Sequence, residues 1–442
     1  MKRISVLILL LVTFVACFAQ KQLKPKLLAG PVVGSVTTTT ARIWIGYRGK
    51  GQNILILGDT AEKKVFYPTS YSYINNSKGD VALTMDFTGL KPGHRYNILV
   101  SIDGWGTNAK YSFQTQSDST YKDFSFLLGS CNLMNTDVTR IVFPGGTPFI
   151  YRRMKNKKSD FMVWLGDNVY YWNKHYSSYE GMFNRNLAIR HRFPMLKDFM
   201  ASQPNYAIWD DHDYGPNDSD KSFAKKDSSL LVFKGFWPNT YSSNEKLDGN
   251  FYKFSYYDAD FFMLDDRWYR DKEGDSTGAF LGETQVLWLK NQLKASDATF
   301  KFICIGSQIL NDNHFGESYA DYTVERNALL DFIAKNNIKG TIFLTGDKHY
   351  SELCYRLWNG FPLYDFTASP LTSPSYPRRL VGAYKNQWRV KGSDYARRNF
   401  GKISITGAKG DRTVTFEIYG REGLLKKQVC FNQKDLCIKV NP

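Results

Sequence analysis

Residues 161–167 read FMVWLGD: five apolar residues stop abruptly at a glycine and a carboxylate. A short apolar run bounded in this way reads as a β-strand that delivers a polar side chain at its carboxyl end. The same pattern returns in FSFLLGS (124–130), NYAIWDDHD (205–213), ADFFMLDDR (259–267), FKFICIGSQ (300–308) and GTIFLTGDKH (340–349). Helical patterns lie between these runs. GETQVLWLKNQL (282–293) is expected to place Val286, Leu287, Leu289 and Leu293 on one face, and YTVERNALLDFIAKNN (322–337) to do the same with Val324, Leu329, Phe332 and Ile333. Strands alternating with helices predict an α/β domain over residues 122–442. In such sheets ligands bind at the carboxyl ends of the strands, where these polar residues fall. Three strand-like runs after Gly401, namely KISITGA, RTVTFEIYG and LLKKQVCF, are expected to return to the core sheets rather than form a third domain.

Residues 27–117 differ in character. LLAGPVVGSVTTTTARIWIGY, NILILGD, VALTMDFTGL, YNILVSIDG and KYSFQTQ alternate with period two and are split by turn residues, including the Pro-Gly of LKPGHRY. This predicts a β-sandwich of immunoglobulin or fibronectin type. Its one histidine is His94, so a packing role is expected for it.

The chain begins MKRISVLILLLVTFVACFAQ, with Lys2 and Arg3 followed by an apolar stretch and small residues up to Ala19. This is the layout of a signal peptide over residues 1–19, and it predicts an exported bacterial protein, periplasmic or extracellular. Cys17 after Ala16 also permits a lipid tether, although Phe14 stands where a leucine is usual. Cys430 and Cys437 could close a short hairpin disulfide in an oxidising compartment. The formal charge of +16, reduced by two on loss of Lys2 and Arg3, suits anionic partners. The basic residues are dispersed, however, as on an ordinary solvated surface, and no motif for specific nucleic-acid recognition is present.

Five strand-end motifs carry the chemistry: GSC (129–131), GDNVY (166–170), DDHD (210–213), LDDR (264–267) and GDKH (346–349). In WDDHDYGPND (209–218), four acids surround one histidine. So many carboxylates cannot share one crevice in ionised form unless cations compensate them, which points to bound metal, more than one ion. There is no Gly-x-Ser-x-Gly elbow and no GxxxxGK[ST] loop.

The motifs GSC, GDNVY, DDHD, LDDR and GDKH, in this order after a β-sandwich and together with LGETQVLWL, resemble those of the PhoD-like alkaline phosphatases and phosphodiesterases, relatives of the purple acid phosphatases among the calcineurin-like metallophosphoesterases. The resemblance runs from about Gly30 to at least Ser351. It implies a metallophosphoesterase α-β-β-α sandwich that holds ferric iron and calcium and hydrolyses phosphomonoesters or phosphodiesters by in-line attack of a metal-activated water. Carried over, Cys131 and Tyr170 would bind iron, Asp167 would bridge the metals, Asp211 and Asn217 would serve calcium, and Asp347 and His349 would complete the metal set. His212 would act at the leaving-group oxygen, and Arg267 would clamp the phosphoryl group. Asp213 stands where the family more often has Glu, which leaves its role open. Plainer readings stand beside these. Cys131 could be a small core residue and Tyr170 a packing residue; His212 and Asn217 could serve turns, and Arg267 could pair with Asp265 or Asp266. The stretch YSSYEGMFNRNLAIRHRFPML (176–196) could line a substrate groove or form a packed helix pair. His314, in the polar loop NDNHFGES, could flank the site.

Overall fold

The computed structural model describes residues 26–441 apart from 50–52, 60, 103–104, 107–109, 136–147, 242–247, 314–315, 384–385 and 435–438. The signal peptide, Cys17, His314 and Cys437 therefore lie outside the described residues, and with Cys437 the proposed disulfide.

Two sheets lie back to back in the larger part of the chain. One has seven strands in the order Asn205–Ile208, Phe161–Leu165, Phe124–Gly129, Asn399–Thr406, Thr413–Gly420, Leu425–Asn432 and Lys439–Asn441. The other has six: Tyr252–Tyr256, Ala259–Met263, Phe300–Ile305, Thr341–Thr345, Phe361–Thr367 and Glu352–Trp358. In each sheet the chemistry-bearing strands run parallel. The strand Phe161–Leu165 shows why its sequence lacks alternation. Phe161, Val163 and Leu165 face the opposite sheet, and Met162 and Trp164 face a helical layer, so all five are buried. Between the sheets Phe126, Phe161, Phe261 and Phe302 stack or meet edge to face. The helices Phe149–Lys155, Tyr179–Arg192, Pro194–Met200 and Lys226–Phe236 cover the first sheet; Glu283–Lys294 and Thr323–Lys335 cover the second. The result is an α-β-β-α sandwich. The strands after Gly401 extend the seven-stranded sheet.

The helical faces differ from expectation in two places. Leu287 is 58% exposed and Val324 is 57% exposed. The buried stripe of the first helix is Gln285, Val286, Leu289 and Leu293, and that of the second is Arg326, Leu329, Leu330 and Ile333. A rotation of about 100° per residue carries Leu287 off the Val286–Leu289–Leu293 face. A polar residue takes the vacated place because Gln285 accepts from the backbone of Asp265 and donates to its carbonyl, pinning a strand end. Among the described residues, no helix is long and apolar enough to cross a membrane.

Strands from Lys26 to Gln114 form two further sheets of four and five strands packed face to face. Their own core includes Ile43, Ile45, Leu57, Met85, Tyr96 and Phe113. The strand Ala41–Arg48 alternates between two interiors. Ile43 and Ile45 point into the sandwich, whereas Trp44 joins the helical core of the larger domain and donates from Nε1 to the Gly235 carbonyl at 2.9 Å. At Gly34 a Cβ would lie 2.3 Å from the Pro238 carbonyl oxygen, so backbone meets backbone at this seam. Gly34→Ala must push the two units apart and is expected to cost about 1–3 kcal/mol. Urea unfolding should show a lowered midpoint; an unchanged midpoint would mean that the seam is loose.

Candidate metal centre

Cys131, Asp167, Asp211 and Asp347 each follow a strand that stops at a glycine or a buried tryptophan. The glycines are required by close approach. A Cβ on Gly166 would sit 2.5 Å from Asp210 Cβ, and one on Gly346 would sit 2.5 Å from the Leu165 carbonyl oxygen. The next turn is tight enough that Cys131, Asp167, Asp347 and His349 all adopt positive φ, between 53° and 57°. Each such residue costs about 1 kcal/mol or more, and four of them at one place mark a site held open by its surroundings.

These strand ends converge. Donor atoms of Cys131, Asp167 and His349 lie within 4.8 Å of one another, as do those of Asp167, Asp211 and His212, and those of Asp210, Asp211 and Glu317. Asp167 belongs to the first two groups and Asp211 to the last two. The Tyr170 hydroxyl donates to Asp167 Oδ2 at 2.8 Å and accepts from Ser373 Oγ at 3.0 Å. Its ring lies 4.1 Å from that of His212. The Cys131 sulfur accepts from Ser369 Oγ at 3.2 Å and approaches the Asp347 carbonyl at 3.4 Å. His349 Nδ1 lies 2.5 Å from the Pro374 carbonyl. A carbonyl can only accept, so Nδ1 carries the proton and Nε2 keeps its lone pair for a ligand.

The electrostatics fit a cation. Burial, then the Asp347 charge, pushes the Cys131 thiol up to about 12. Burial, then Asp211 and Cys131, raises Asp167 well above the carboxylate range, and burial and Asp167 raise Tyr170 as well. Asp347 is raised by burial, against the pull of Lys348. Asp211 moves the other way: burial opposes its ionisation, but His212, Arg267 and the Asp218 amide outweigh it. A thiol, a phenol and carboxylates that would stay protonated on their own are donors that a bound metal ion deprotonates.

Two residues are placed otherwise than expected, and a third, Asp213, whose role was open, makes structural contacts. Arg267 is fully buried and donates to Asp210 from Nε at 2.7 Å and to Glu317 from Nη1 at 2.8 Å. It locks these two acids in place instead of reaching toward a substrate; only its backbone N–H meets Asp265, donating to Oδ1 at 2.9 Å, and the nearest Asp266 oxygen lies 3.7 Å from the guanidinium. Asn217 is exposed, and no described contact brings it into the cluster; the amide of the next residue, Asp218, donates to Asp211 Oδ2 at 2.9 Å. Asp213 faces away from the centre. Its carboxylate accepts the backbone N–H groups of Asn168, Val169 and Asp210, so it shapes the GDNVY loop. The stretch 176–196 is a packed helix pair, with Arg185 buried and donating from Nε to the Tyr170 carbonyl at 3.0 Å.

Glu317 and the structural part of Asp210 were not apparent from sequence. Glu317 comes from a loop with no strand-end glycine-acid signature; the polar run NDNHFGES was the only signal. Ser369 and Ser373, which hold the sulfur and the phenol, carry no motif at all. Removing the guanidinium in Arg267→Ala takes from buried Asp210 its ion-pair partner, leaves Glu317 with Arg270 alone, and is expected to cost about 3–5 kcal/mol. Arg267→Lys should recover little, because a point charge cannot span both carboxylates. Denaturant midpoints check this, and a fully stable Arg267→Ala would return Arg267 to a substrate-facing role.

The model of the PhoD-like phosphatase family matches residues 126–416. Alkaline phosphatase D of Bacillus subtilis (strain 168) is 27% identical over 328 residues, covering 59% of this chain and 54% of the relative, so the chain spans about half the length of that protein. A solved structure of PhoD superposes with a TM-score of 0.74 at 17% identity, over 93% of this chain and 91% of the other. Purple acid phosphatase PPD1 from yellow lupin (Lupinus luteus) seeds gives 0.67 at 10% identity, over 91% of this chain and 74% of the other. At such identities the two structures establish the shared fold alone. With the family match spanning most of the α-β-β-α domain, the chain belongs to the PhoD-like phosphatases.

Proposed function

We propose that the protein is an exported, metal-dependent hydrolase of phosphoric esters, of alkaline phosphatase D type, acting on phosphomonoesters or phosphodiesters in the periplasm or outside the cell, either free or tethered through Cys17. The observation that carries this reading is the shared position of Asp167, whose carboxylate stands between the Cys131–His349 pair and the Asp211–His212 pair. A carboxylate placed between two donor groups suits a bridge between two cations.

On this reading Cys131, Tyr170, Asp167 and His349, a set rich in anionic donors, would hold ferric iron. Calcium fits the oxygen-only side at Asp211, with Asp210, Glu317 and Asp347 around it. When bound, the cations would neutralise phosphoryl oxygens and acidify the attacking water. The protein's own groups do the rest. Ser369 and Ser373 orient the sulfur and the phenol, and the Pro374 carbonyl fixes the His349 tautomer. The Arg267 guanidinium fixes the Asp210 and Glu317 carboxylates beside Asp211. His212 is only half-buried, is held through its backbone by the Asp211 carboxylate at 2.8 Å, and has no partner for Nδ1 among the described residues. It can hand a proton to the departing ester oxygen.

Elemental analysis together with turnover of p-nitrophenyl phosphate and bis-p-nitrophenyl phosphate tests the reading. Asp211→Asn and His212→Ala should each lower kcat by orders of magnitude, with metal lost only in the former. A visible iron-ligand absorption band should fade in Tyr170→Phe and Cys131→Ala. Undiminished rates after exhaustive chelation would overturn the metal-dependent mechanism, and a colourless, fully active protein would remove iron from it.

A further inference from the structure

Beside the metal centre, two clefts share a wall made of Arg398, Arg421 and Glu422. The larger, about 630 Å³, is bordered by Pro374, Tyr395 and Arg397 and closed by Lys426. The smaller, about 410 Å³, continues past the same two arginines to Arg153. Arg398 and Arg421 are fixed side by side, because the Arg421 amide donates to the Arg398 carbonyl at 3.0 Å. The single carboxylate, Glu422, is already paired with Lys426. Positive charge therefore exceeds negative along the whole trench, and Arg398 is held below its usual pKa by burial and by repulsion from Arg421.

The trench is wired directly to the site. Arg398 Nε donates to the Ser373 carbonyl at 3.0 Å, and the Ser373 hydroxyl donates to Tyr170 at the same distance. Pro374, a wall of the larger cleft, is the residue whose carbonyl holds His349. One residue thus separates the guanidinium from the phenol, and one carbonyl separates the cleft from the imidazole.

Resting on the phosphoesterase reading above, we propose that Arg397, Arg398 and Arg421 form an anion subsite that binds a second phosphate of the substrate, next to the one being hydrolysed. Guanidinium groups recognise phosphate oxygens by paired, charge-assisted hydrogen bonds, and three of them along one wall suit a phosphate a few bonds removed from the scissile one. The preferred substrates are then esters carrying two or more phosphates, not isolated monoesters.

The test compares thymidine 5′-(p-nitrophenyl phosphate) with the same compound bearing a 3′-phosphate, using the full chain with its native metals. The 3′-phosphate should raise kcat/KM at least tenfold, and added salt should erode this preference. In Arg397→Ala/Arg421→Ala the preference should fall toward one, with partial recovery in Arg397→Lys/Arg421→Lys. Both residues are exposed, and the unfolding midpoint serves as a check on folding. Equal rates for the two substrates in the native protein, or an undiminished preference in the double variant, would overturn the subsite. Hydrolysis of neither compound by the native protein would instead overturn the phosphoesterase reading on which it rests.

Discussion

Carboxylates from several strands are driven into one small, largely buried space, and their mutual repulsion is the constraint that organises the molecule. On one side the repulsion is met by protein cations: Arg267 spans Asp210 and Glu317, and Arg270 reaches Glu317 at 2.7 Å. On the other side Asp167, Asp211, Asp347, Cys131 and Tyr170 have too few such partners, and burial alone would leave most of them protonated. A bound cation is the physical solution to that imbalance. The site thus has one flank held by arginines and another without them, where a cation fits.

The fold supplies the force that brings these groups together. Two sheets buried on both faces stack their aromatic residues against one another, and the strand ends then meet at one edge with glycines at the points of contact. The hydrophobic area buried between the sheets and under the helices sustains the strained backbone at Cys131, Asp167, Asp347 and His349. The β-sandwich shares this work instead of hanging from it. Trp44 is part of the larger domain's core, and Asn205, at the start of a catalytic-domain strand, donates to the Val33 carbonyl at 3.0 Å.

Beyond the acidic centre the surface changes sign. The same segment, residues 369–374, supplies the seryl contacts to the cysteine and tyrosine, the carbonyl that orients His349 and a wall of the arginine-lined cleft. The candidate metal donors and the arginine-lined cleft are therefore mechanically joined. A positive charge total, dispersed in the sequence, becomes a directed feature where the chain folds Arg397, Arg398, Arg421 and Lys426 onto one wall.

The strand-end runs were legible in the sequence because strands buried on both faces must be continuously apolar and because a turn this tight demands glycine. That local grammar was enough for the α/β class, the β-sandwich and the candidate donors Cys131, Asp167, Asp211, His212 and His349, which the fold does bring together. It could not assign partners. Whether Arg267 faced a substrate or two buried acids, whether Asp213 faced the centre or a loop amide, and whether Asn217 or Glu317 joined the acidic cluster all depended on contacts between residues up to 57 positions apart, as for Arg267 and Asp210. Side-chain direction at such range is set by packing, for which the residue type carries no sign. The sequence by itself determined which groups stand at the strand ends; the tertiary structure alone decided which of them face a cation and which face one another.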